Sequence, residues 1–69
     1  MRQVLIYPDP EDGGFVCEVP SLPGCVSEGD TKDEALQNIR DAIEAWIEAA
    51  RSLGRDVPVD ARQAELRVV

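Results

Sequence analysis

The chain has 69 residues, which is room for one small domain and close to the size at which a single apolar core stops being sufficient on its own. Its 43% hydrophobic and 30% charged residues exclude a membrane span and a disordered tail. A net charge of −7 works against binding a phosphate backbone, so no direct nucleic-acid binding is expected and a basic partner suits the surface better.

Val4 to Tyr7, "VLIY", is a short apolar run with β-branched and aromatic members and reads as a first strand. "PDPEDGG" follows with the proline, aspartate and paired glycines of a reversing loop, and "FVCEV" resumes as a second strand from Phe15 to Val19. Placing Tyr7 opposite Phe15 predicts that Leu5 meets Cys17 and Val4 meets Glu18. One sheet face then carries Leu5, Tyr7, Phe15, Cys17 and Val19 and receives the helix. The other carries Arg2, Val4, Ile6, Val16 and Glu18.

"PSLPG" cannot continue a central ladder but suits a tight return, and "CVSE" reads as a third strand. Gly29 and Asp30 break that strand, and Thr31-Lys32-Asp33-Glu34 matches a helix-capping box. Beyond it Ala35, Leu36, Ile39, Ala42, Ile43, Trp46, Ile47, Ala50 and Leu53 fall on one helical face, which predicts that Ile39, Ile43 and Trp46 are buried against the sheet. Gly54 and Pro58 stop the helix, and "AELRVV" reads as a last strand. The expected fold class is therefore α+β in the order β-β-β-α-β, a four-stranded, mostly antiparallel sheet with one helix packed on one face, forming a single domain over residues 1–69.

Cys17 and Cys25 read as reduced core thiols, with a disulfide across a hairpin as the alternative. Two thiols in a chain without histidine supply only half of a tetrahedral zinc shell, so no metal or cofactor is expected. No apolar stretch approaches the ~18 residues of a membrane span, and the amino-terminal apolar run is too short for a signal peptide. The expectation is a cytoplasmic protein with no membrane partner.

The stretch "EDGGFVCEVPSLPGCVSEGDTKDEALQNIRDAIEAWIE" resembles the amino-terminal domain of HicB-type antitoxins in its acidic Gly-Gly turn, Leu-Pro-Gly-Cys, Gly-Asp-Thr and Glu-Ala-Leu helix start. The resemblance implies a truncated ribonuclease H-like sheet with one helix. It also implies a partner, a small basic HicA-type toxin that cleaves mRNA and is blocked by direct binding. Complete members of that family carry a further DNA-binding segment; "LRVV" closing this sequence leads to the expectation of no separate DNA-binding domain.

Three function classes follow. The first is a binding module that neutralises a HicA-like toxin; the second is a solitary homo-oligomeric adaptor of the same fold. The third, a divergent metal-dependent nuclease, needs converging carboxylates, and Met1 to Tyr7 contains none, so no catalytic residue is assigned and no enzyme is expected. Leu22-Pro23-Gly24-Cys25 and Gly29-Asp30-Thr31 read first as folding devices, with partner contact as the alternative. One helix covers one face of a sheet, which points to a dimer or higher homo-oligomer and puts the candidate partner-binding residues at Val4, Ile6, Val16 and Glu18.

Overall fold

The structure is a computed structural model that describes residues 2–59 and Val68. Within them three antiparallel strands, β1 (Leu5–Pro8), β2 (Phe15–Glu18) and β3 (Val26–Gly29), precede one helix, α1 (Lys32–Ser52), and the sheet order is β1-β2-β3. The α+β class and the β-β-β-α order match the sequence reading. The fourth strand expected in "AELRVV" lies outside the described residues, except for Val68, which belongs to no regular element.

The first hairpin departs from the expected register by one residue. Pro8 pairs with Phe15, Tyr7 with Val16, Ile6 with Cys17 and Leu5 with Glu18. The cause lies in the loop. Asp9 donates its backbone N–H to the carbonyl of Gly14 at 3.0 Å, and its carboxylate Oδ1 accepts from the N–H groups of Glu11 and Asp12 at 2.9 and 3.2 Å. This Asx-type turn, closed by Gly13 and Gly14 at φ of 76° and 75°, is one residue shorter than the register with Tyr7 opposite Phe15 requires. Pro8 is drawn into the ladder, which it tolerates because β1 is an edge strand among the described residues.

A one-residue slip inverts every side chain of a strand. Val4 and Ile6 therefore share the helix-covered side with Cys17, while Leu5 and Tyr7 share the outer side with Glu18 and Val16. The buried core consists of Cys17, Val19, Leu22, Cys25, Ala35 and Ile39, with Val4, Phe15, Leu36, Ala42, Ile43, Trp46 and Val57 packed around it. Fully burying Leu22 and Ile39 contributes on the order of 1.5 to 3 kcal/mol each, a large share of the stability of so small a domain. Both cysteines are buried and free, and burial pushes both thiols up from their ordinary pKa, with Arg2 partly offsetting the effect at Cys25.

The helix begins and ends as its sequence dictates. Thr31 is the N-cap, and its hydroxyl accepts from the N–H of Glu34 at 3.1 Å. At the other end Gly54 adopts φ of 70°, its N–H bonds Arg51 O, and the N–H of Arg55 reaches Ala50 O at 2.8 Å, a Schellman closure. Of the three apolar residues expected in the core, only Ile39 is fully buried; Ile43 and Trp46 are half-buried. Trp46 lies at the end of the core nearest the Leu22–Cys25 turn, where its indole N–H donates to Pro23 O at 2.9 Å.

The two glycine motifs are explained by contact distance. A Cβ on Gly29 would stand 2.5 Å from the backbone nitrogen of Ala35, and one on Gly14 would stand 2.5 Å from the carbonyl oxygen of Gly29. Hairpin loop, third strand and first helical turn thus meet backbone to backbone, and only glycine permits it. The Leu22–Cys25 return closes with Cys25 N–H donating to Leu22 O at 3.0 Å and Gly24 at φ of 80°, a proline-glycine reversal.

Candidate functional site

The pairing of the three strands writes two rows across the outer side of the sheet, Leu5–Glu18–Val26 and Tyr7–Val16–Glu28. The helix packs against β2 and β3 from the opposite side, so nothing among the described residues covers these rows. Leu5 is 45% exposed, Tyr7 39% and Val26 52%, so this face shows several large apolar side chains to water. Glu18 is half-buried between Leu5 and Val26, and its Oε1 accepts from the Tyr7 hydroxyl at 2.8 Å. That hydrogen bond is the main reason the Tyr7 phenol is raised above its ordinary pKa.

Among the described residues the face carries two carboxylates and no cation. Among residues 2–59 the cations are Arg2, Lys32, Arg40, Arg51 and Arg55. Lys32, Arg40 and Arg51 are on α1, and Arg55 follows it. Arg2 is in phase with Val4 on the inner side, where its Nη1 donates to Ser21 Oγ at 2.9 Å and to Pro58 O at 2.8 Å. Lys32 stands over the Phe15 ring at 5.6 Å, a cation–π contact also on the helix side. At the Leu5 end the face dips into a depression of about 310 Å³ walled by Leu5, Val26 and the Pro20–Cys25 return, with Glu18 on its lining.

The four residues read from the sequence as one surface are divided by the register. Val16 and Glu18 stand on the open face. Val4 is half-buried on the other side, where it lines a groove with Leu36, Ile39 and Ile43 flanked by Arg2 and Arg40. Ile6 pairs with Cys17, also on the helix side, on the strand that forms the edge of the described sheet. Leu5, Tyr7, Val26 and Glu28 take their places on the open face. The signal that finds them is the alternation counted outward from buried Cys17, through Ser27 on one neighbour and Ile6 on the other.

Among the described residues no group of three or more His, Cys, Asp or Glu side chains converges to hold a metal ion, and no helix is long and apolar enough to cross a membrane. What the open face presents is apolar area and an oriented carboxylate.

Residues 3–67 match the family model described as the HicB_like antitoxin of bacterial toxin-antitoxin systems. The chain belongs to the HicB-like antitoxin family. Relatives of this HicB-like chain include a UPF0150 protein of Thermoplasma acidophilum, 45% identical over 60 residues that make up 87% of each chain. A UPF0150 protein of Synechocystis is 34% identical over 67 residues, 96% of this chain and 90% of the relative. Another, from Archaeoglobus fulgidus, is 34% identical over 53 residues, 77% of each. The match to the HicB-like model takes in every described element, so the glycine contacts, the Thr31 cap and the open face all belong to the matched region.

Proposed function

We propose that this chain is the antitoxin of a toxin–antitoxin pair and acts by direct protein–protein binding to a small, basic, mRNA-cleaving toxin of the HicA type, in the cytoplasm and without cleaving RNA itself. The observation that carries this reading is the family match over residues 3–67. The net charge of −7 supports a cationic partner, and an exposed apolar face edged with carboxylates supports a protein as that partner. Association of the oppositely charged pair slows as salt rises, because screening shortens the reach of the attraction.

The same open apolar surface supports a second reading, a self-associating adaptor with no toxin. In that case the chain forms a dimer or larger homo-oligomer that covers the surface itself. Co-expression with the protein encoded beside it separates the two. The antitoxin reading expects a co-purifying complex and suppressed RNA cleavage when the purified proteins are mixed. Undiminished cleavage and no complex would leave the adaptor.

A further inference from the structure

We propose that the depression at the Leu5 end of the outer face is a socket for one arginine or lysine side chain of a cationic protein partner. Glu18 forms its anionic end, and the apolar rows around it form the surrounding contact. This rests on the antitoxin reading and names the surface that reading leaves open.

The depression is built for such a side chain. Its volume of about 310 Å³ is at the low end of what holds a whole small molecule. Leu5, Val26 and Pro23 line it with aliphatic surface suited to a methylene stem, while Glu18 supplies the carboxylate for the head. Tyr7 donates to Oε1 of Glu18 at 2.8 Å, which holds the carboxylate in one orientation and leaves Oε2 for an incoming N–H. Arginine is among the residues enriched at interface hot spots, which sit in desolvated pockets ringed by near-neutral contacts that exclude water.

The occupant follows from charge and backbone. A second copy laid face to face on this surface sets Glu18 and Glu28 against their own kind, with no cation among the described residues on the face to answer them. Strand addition at the edges of the described three-stranded sheet is hindered. β1 carries Pro8, which has no N–H to give. On β3 the bond from Val19 N–H to Cys25 O marks Val19/Cys25, Cys17/Ser27 and Phe15/Gly29 as the hydrogen-bonded pairs, so the backbone of Glu28 points away from β2. Its carbonyl is already taken by Asn38 Nδ2 at 2.7 Å. A partner therefore meets the face itself.

The test is calorimetric titration of the full chain with the purified HicA-type protein encoded beside it, joined to amide-shift mapping on the unmodified chain. Glu18→Gln removes the charge but keeps an acceptor for Tyr7, and Val26→Lys places a cation at an exposed edge position. Each is expected to weaken binding about tenfold or more. Arg40→Glu, on the helix-side groove, is expected to stay within about twofold. The largest amide shifts are expected in β1 and β3 and in the Pro20–Cys25 return, an observation that needs no variant to fold. Shifts clustered around Val4, Leu36 and Ile43, with Glu18→Gln and Val26→Lys binding at full strength, overturn the socket and leave the antitoxin reading standing. Outer-face variants that convert a dimer to a monomer while keeping partner affinity overturn it in favour of a second copy. No binding by the unmodified chain removes the antitoxin reading and the socket with it.

Discussion

The indole N–H of Trp46 donates to the carbonyl of Pro23 at 2.9 Å, tying the middle of the helix to the return between the second and third strands. Trp46 is half-buried, so it acts as a clasp at the border of the core. Trp46→Phe keeps most of the apolar contact and loses the hydrogen bond, which should cost about 1 kcal/mol. Trp46→Ala should cost about 2 to 3 kcal/mol, less than for a fully buried tryptophan. Denaturant titration of both variants checks the pair, and a phenylalanine variant as stable as the original chain would detach the indole from the turn.

Glycine positions should separate by mechanism. Gly29→Ala forces a Cβ into the backbone of Glu34 and Ala35, at 2.9 and 2.5 Å, where no flexible side chain can yield. The expected loss is about 3 kcal/mol. Gly24→Ala meets nothing within 4 Å and carries only the strain of φ at 80°, about 1 to 2 kcal/mol. Thermal melts that rank Gly24→Ala as the more damaging change would contradict the close approach at Gly29.

The hairpin register can be read by cross-linking. Ile6 faces Cys17 in a pair whose neighbours exchange the hydrogen bonds, so the two Cα atoms are about 4.5 Å apart, within disulfide reach. In a Cys25→Ala background, Ile6→Cys should oxidise to a disulfide with Cys17, and Leu5→Cys, on the opposite face, should not. Mass spectrometry after mild oxidation decides it. The reverse result would restore the register in which Leu5 meets Cys17.

Stability should fall in alkali. Burial raises both thiols above 9.0, and the bond to Glu18, with smaller contributions from burial and nearby carboxylates, raises Tyr7 above 10.0. A group that holds its proton more tightly when folded stabilises the fold below its unfolded pKa and loses that contribution as pH rises through its folded value. The melting temperature should therefore fall as pH climbs above 9.0, chiefly through Cys17 and Cys25, since Tyr7 is exposed to solvent screening. A Cys17→Ala, Cys25→Ala double variant, less stable at neutral pH, should lose melting temperature less steeply over that range. Parallel slopes for the two chains would remove the thiols as the cause.

The helix was the most legible element because each of its signals acts locally: Thr31 caps it, its apolar positions recur at helical steps, and Gly54 closes it within the chain's own turn. Strand positions were legible for the same reason, to within a residue or two at their ends. Register was not. A period of two tells which residues of a strand share a face but not which face is inward, and the phase passes through a loop whose length depends on how Asp9 folds back on Glu11 and Asp12. That single step moved Val4 and Ile6 to the helix side and brought Leu5 and Tyr7 out beside Glu18. Nor could composition show that Trp46 meets Pro23, a contact between groups distant in sequence.

The stack of Gly14 on Gly29 and of Gly29 on Ala35 sets an unusual map of tolerance to mutation. Core side chains can trade volume with their neighbours, so Leu22 and Ile39 admit other aliphatic residues at moderate cost. Three backbones in contact have nothing to trade. In a library of all single substitutions, the two glycines, both partly open to solvent, should tolerate fewer replacements than the buried Leu22 and Ile39. Drift in this fold is then limited less by its hydrophobic interior than by two positions that carry no side chain at all.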